Sequence, residues 1–213
     1  MLSDGKVAIV GIAGRFPQSD NFEEFWENLC IGKDCITDIP ISRWSNSKFF
    51  HPNSDAPEKT HSYQGGFLKR SIKLFDFEFF GISEKESEIL DPQQKLLLEI
   101  SWDLLENAGL KIEDIKNTET GVYIGGFCMD NQLQRLSVYN RRLIDAFTAT
   151  SSSLTLLSNR LSYFYSLKGP SISLDTACSS SLVTTHLAYQ AIINGECSQA
   201  IAGGVNIMLR PEF

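Results

Sequence analysis

Five cysteines and three histidines are the residues of this 213-residue sequence best suited to covalent or acid–base chemistry. One of them, Cys178, has a setting that favours such work. It follows an apolar, strand-like run, Gly169–Ala177 (GPSISLDTA), and precedes three serines and an amphipathic helical pattern. A thiolate at a strand-to-helix turn sits at the positive end of the helix dipole, beside backbone N–H groups that the helix leaves without acceptors. Both favour the thiolate, which is the nucleophilic form of cysteine. Ala177 and Ser179–Ser181 are small, so the chain can turn tightly and a second molecule can approach. The competing reading is a buried structural thiol, since free cysteine is among the most buried residue types.

The histidines do not complete a dyad by spacing. His186 lies eight residues beyond Cys178 on the same expected helix. That is about two turns, on the order of 12 Å along the axis, and too far for a base acting on the sulfur. His51 and His61 fall in the irregular stretch 33–71 and read as solvated or turn residues. Cys30, Cys35, Cys128 and Cys197 form no CxxC pair, so no zinc site or disulfide framework is expected. With no signal-like N-terminus, the thiols point to a reducing, cytoplasmic setting.

The elements that must hold the turn can be read from pattern. Lys6–Ile12 (KVAIVGI) is a continuous apolar run and predicts a strand buried on both faces. Its GxxG lacks the rest of a dinucleotide or P-loop motif. Asp20 and Glu23 suggest a capping box for a helix through NFEEFWENLCIG. Phe75–Gly81 is unusually aromatic and predicts a strand or short turn tucked into the core. Asp91-Pro92 opens a helix that Gly109 ends. Gly121–Phe127 (GVYIGGF) predicts a second buried strand whose paired glycines imply close backbone approach. Residues 128–147 read as a lid or partner-facing loop. A helix is expected from Ser151 to Leu167, and another from the Cys178 turn to Gly195. QAIAGGVNIM closes as a strand. This alternation predicts an α/β fold with a mainly parallel sheet.

Composition is that of an ordinary globular chain, 42% hydrophobic and 21% charged. The net charge is −7 and no basic tract exceeds two residues, which argues against nucleic-acid binding. Apolar runs are too short for a membrane span.

Taken in order, the motifs resemble a family. DTACSSSL around Cys178 is similar to the active-site signature of β-ketoacyl synthase domains of type I polyketide synthases. VAIVGIAGRFP, FEEFWENLCIGKDCI, IPISRW, GGFL, FDFEFFGIS, DPQQKLLLEISWDLLENAG, TGVYIGG, NRLSYFYSLKGPS and GECSQAIAGGVNIM follow in the family's order across nearly the whole chain. Ala13 departs from the cysteine that many relatives carry in the opening motif.

The resemblance implies a thiolase-like αβαβα layered sandwich built from two similar halves, of which residues 1–213 match the first. The chain stops just after a strand and reads as cut rather than finished. The resemblance further implies that Cys178 accepts an acyl group from a phosphopantetheine thioester on a partner acyl carrier domain. Its backbone N–H would be one oxyanion donor. A malonyl-type extender then condenses with loss of CO₂, in polyketide or fatty acid biosynthesis. No cofactor or metal is expected in the chain itself. The family dimerises near the strand before the nucleophile, here about residues 167–175. Its two catalytic histidines belong to the second half, and none of the three histidines here matches their motifs. Two further readings stay open: an inactive fragment serving as a dimerisation or docking half, and a CoA-using thiolase. A half standing without its partner layer is expected to expose a large apolar face.

Overall fold

The computed structural model describes residues 5–53 and 55–212, and the chain divides into two compact units. The smaller comprises Ala13–Leu74 and the described residues from Met208 onward. Its first helix, α1 (Phe22–Cys30), is capped one residue later than the sequence suggested. Asn21 Oδ1 accepts the Glu24 N–H, and Glu24 Oε2 accepts the Asp20 N–H in return. Phe22 and Phe25 pack on Phe16, whereas Trp26 and Leu29 are exposed. The stretch expected to be irregular holds a small antiparallel pair, β1 (Ile36–Asp38) and β2 (Gln64–Gly66), with the short α2 (Asn46–Phe49) between them.

The larger unit comprises Phe75–Ile207 and the described residues up to Ile12. It opens with the aromatic turn 75–81, in which Phe75 and Phe80 stack at 5.2 Å. Then come α3 (Glu84–Ile89), α4 (Pro92–Asn107), α5 (Ile112–Ile115), β3 (Thr120–Gly126), α6 (Asp130–Arg135) and a 3₁₀ turn (Val138–Leu143). The chain continues through α7 (Thr148–Ser152), α8 (Leu156–Phe164), β4 (Ser171–Leu174), a 3₁₀ turn (Ala177–Ser179), α9 (Ser180–Ile193) and β5 (Gln199–Val205). The single helix expected from Ser151 is thus two, broken at Ser153, where the backbone turns extended.

The sheet is parallel, in the order β4-β3-β5. β3 is buried along its whole length, and its side chains alternate between two layers. Val122 and Ile124 join Leu97, Leu98, Leu105, Leu157, Leu161 and Ile201 on the α4/α8 side. Tyr123 joins Ala188, Ala191 and Cys197 on the α9 side. This is the expected α/β layering, one parallel sheet between helices.

One expected strand is missing. Residues 5–11 form no strand, and Ile9 and Val10 are 86% and 70% exposed. The segment is tethered instead by the Tyr189 hydroxyl donating to Gly5 O and by the Ile12 N–H reaching Asn107 Oδ1. Its apolar pattern specifies a buried environment that no strand among the described residues supplies. Leu182 on α9 is 75% exposed as well.

The start of α4 binds the larger unit together through polar side chains. Asp91 caps it, accepting the Gln93 N–H at 2.8 Å. The buried Gln93 amide donates to Cys128 O and accepts the Ile207 N–H, while Gln94 accepts from Arg160 and donates to Thr150 O. Arg160 also pairs with Glu86 at 3.0 Å. A cavity of about 10 Å³ lies between Asp91, Gln93, Cys128, Ser152 and Leu157, room for about one water.

Burial pushes the Asp91 carboxyl up to about 6, and Asp130 adds to the push against the downward pull of Gln93 and Lys95. An acid that holds its proton more tightly folded than unfolded weakens the fold once it ionises. Its contribution is most favourable below about pH 4, falls as pH rises to about 6, and above that leaves the fold weaker by on the order of 3 kcal/mol. Asp91→Asn keeps a cap acceptor without the charge. It is expected to raise the urea midpoint near neutral pH and to flatten the fall between about pH 4 and 6; a pH profile matching the parent's would refute the assignment.

Candidate functional site

Cys178 is exposed, in the 3₁₀ turn that joins β4 to α9. The turn needs an unusual backbone. Ala177 has φ +55°, a left-handed conformation that costs an L-residue roughly 1–2 kcal/mol. Its neighbours offset that cost with side-chain bonds. Asp175 Oδ1 accepts the Ala177 N–H at 2.7 Å. The Ser179 hydroxyl lies 2.8 Å from Thr176 O, to which it donates. The Ser180 hydroxyl accepts the Thr176 N–H at 2.9 Å and donates to Ala177 O at 2.8 Å. Each polar residue of the DTACSSS run thus ties down the turn except Ser181, whose side chain faces a glycine.

Because Ser179 is turned back on Thr176, it does not cap α9. The Ser179 and Ser180 N–H groups bond Thr176 O and Ala177 O. The Cys178 N–H precedes both, in the first turn of the helical segment, where no intrahelical acceptor exists.

Two glycines mount the helix on the sheet. A Cβ at Gly125 would stand 2.5 Å from Ser180 Cβ, and one at Gly204 would stand 2.9 Å from Ser181 Cβ. The N-terminus of α9 therefore rests directly on the backbones of β3 and β5. Thr184, one turn on and fully buried, donates to Gly203 O at 3.0 Å. The sequence flagged close approach at the paired glycines, but not what approaches them.

The other thiols of the larger unit are poorer nucleophiles. Burial pushes Cys128 up to about 11 and raises Cys197. Cys30 and Cys35 belong to the smaller unit, as do His51 and His61. His51 Nδ1 accepts the Asn53 N–H there. His186 is exposed on α9, two turns beyond the elbow. The structure brings no histidine to Cys178 within the larger unit. Among the described residues no group of three or more His, Cys, Asp or Glu side chains could hold a metal, and no helix is long and apolar enough to cross a membrane. The arrangement offers an accessible sulfur, a fixed backbone donor and open approach, which suits acyl transfer onto cysteine.

The chain as a whole is similar to known proteins. The family profile described as "Beta-ketoacyl synthase, N-terminal domain" matches residues 4–213. Polyketide synthase PksL of Bacillus subtilis (strain 168) is 43% identical over 213 residues, covering 97% of this chain and 5% of that protein. Reducing polyketide synthase FUB1 of Gibberella moniliformis is 40% identical over 208 residues, covering 97% of this chain and 9% of that protein. Among solved structures, the oxazolomycin ketosynthase domain OzmH KS7 of Streptomyces albus JA3453 superposes with a TM-score of 0.87 at 42% identity, over 95% of this chain and 35% of that one. The ketosynthase from module 6 of the bacillaene synthase of Bacillus subtilis 168 gives 0.80 at 38% identity, over 96% and 32%. The chain therefore spans less than a tenth of these two curated relatives and about a third of the solved domains.

Proposed function

The chain belongs to the β-ketoacyl synthase family, with the thiolase-like fold of ketosynthase domains, and on that premise we propose that Cys178 is the residue that accepts the growing acyl chain. The observation that carries this reading is the braced elbow, which holds an exposed thiol at the N-terminus of a 14-residue helix.

The thiolate attacks the carbonyl carbon of an acyl thioester borne by the phosphopantetheine arm of an acyl carrier domain. The carbonyl oxygen takes up the charge, with the Cys178 N–H as one donor to it. Collapse of the tetrahedral intermediate breaks the carbon–sulfur bond to the carrier, whose thiolate departs and takes a proton. A malonyl-type extender then loses CO₂, and the resulting carbanion attacks the Cys178 thioester and expels the thiolate. The named relatives are polyketide synthases, which favours polyketide over fatty acid assembly. The histidines that would assist decarboxylation are assigned to the second half of the domain. A homodimer across β4 is consistent with that strand's edge position and its half-exposed Ile172.

A second reading, a non-catalytic docking half, is favoured by one observation: no histidine of the larger unit reaches Cys178. One experiment separates the two. The full chain is incubated with an acyl thioester of pantetheine, digested, and mapped by mass spectrometry. Acylation of the peptide bearing Cys178 is expected; label confined to other cysteines, or no label at all, would leave the docking reading standing.

A further inference from the structure

We infer that Ser180 is a positioning residue for acyl transfer, acting by fixing the direction of the Cys178 N–H; this rests on the acyl-acceptor reading above. The Ala177 carbonyl and the Cys178 N–H belong to one peptide unit, which is planar and trans. A bond that fixes the carbonyl at one end fixes the N–H at the other. Ala177 O receives two such bonds, from the Ser180 N–H and from the Ser180 hydroxyl at 2.8 Å. The same hydroxyl accepts the Thr176 N–H at 2.9 Å. It therefore ties together the two peptide groups that bracket Thr176 and the left-handed Ala177.

Ser180 differs from the other braces in its surroundings. Asp175 and Ser179 are exposed, so water competes for their bonds. Ser180 is 6% exposed, and a hydrogen bond away from water is electrostatically stronger. It also rests on the backbone of β3. A Cβ at Gly125 would stand 2.5 Å from Ser180 Cβ and 2.7 Å from its carbonyl carbon, so the residue cannot sink towards β3. Its hydroxyl is thus referenced to the central strand, and through it so is the Cys178 N–H. Loss of the hydroxyl frees the peptide to rock while leaving the sulfur in place.

The test compares two reactions of one sulfur in the full chain. Transfer from an acyl pantetheine thioester passes through an oxyanion. Alkylation by iodoacetamide displaces iodide and forms no oxyanion, so it reads thiolate access alone. Ser180→Ala is expected to lower kcat for acyl transfer about tenfold at unchanged KM, while alkylation at pH 7 changes by less than about twofold. Ser180→Thr, which restores a hydroxyl, should recover most of the lost rate. Thr184→Val removes a buried hydroxyl bond from the same helix to the sheet, one turn away, and controls for simple loosening of the fold. It should lower the thermal midpoint without separating the two rates. Equal losses of transfer and alkylation in Ser180→Ala, or no loss of transfer, would overturn the inference. A parent chain that alkylates at Cys178 but never takes up the acyl group would overturn the acyl-acceptor reading, and this inference with it.

Discussion

Cys178→Ala is expected to abolish acyl uptake, with a loss of about a thousandfold or more, while leaving the fold intact. The two halves of that expectation have different origins. Uptake depends on a covalent bond to sulfur, and alanine has no atom that can form it. The other cysteines offer no substitute. Cys128 and Cys197 are buried and their thiols pushed up by that burial, and Cys30 and Cys35 lie outside the larger unit. Stability should hold because the Cys178 side chain is exposed, so its removal leaves no cavity. The braces of the elbow come from Asp175, Thr176, Ser179 and Ser180 and do not use the sulfur. Urea unfolding and acyl labelling on one preparation check both halves. Undiminished labelling of the alanine variant would move the nucleophile elsewhere in the chain.

Gly125→Val should weaken the fold by about 3 kcal/mol. Its Cβ would meet Ser180 Cβ and carbonyl carbon inside 3 Å, and neither atom can rotate away. The strand cannot yield either. Gly125 pairs with Leu174 on one side and with Gly204 on the other, so sliding β3 would break both ladders. The helix must lift instead, taking Thr176–Cys178 with it. Acyl uptake should therefore fall even in the fraction that remains folded. Gly203→Ala is the matched control, because nothing lies within 4 Å of the Cβ it would add. If both variants unfold at the parent's urea concentration, the close contact between α9 and β3 is not real.

Some of this was legible in the amino-acid order. The strand–turn–helix around Cys178, the buried β3 and the Asp91–Gly109 limits of α4 each rest on local chemistry: a short apolar run, a capping carboxylate, a glycine that can take φ +67°. What could not be read depends on partners distant in sequence. The run Lys6–Ile12 has the composition of a buried strand, and composition states what a segment requires without supplying it. Gln93 and Gln94 look like ordinary helix surface, yet they satisfy backbone groups of α7 and of the loops after β3 and β5. The helix expected from Ser151 ran on in pattern because Leu154 and Leu157 both face the core. A periodicity does not register a break at Ser153. Ser180 was read only as small; that its hydroxyl points back at Ala177 follows from the turn, not from residue type.

The braces of the elbow join residues no more than four apart, whereas its mount joins α9 to strands reached by long stretches of chain. That difference sets where sequences can be exchanged. A chimaera of two relatives crossing over anywhere between residues 127 and 174 inherits its reactive turn whole from one parent and Gly125 from the other. Such a junction is tolerated only where both parents leave Ser180 the same bare backbone to rest on, so compatibility is decided by a residue outside the exchanged segment.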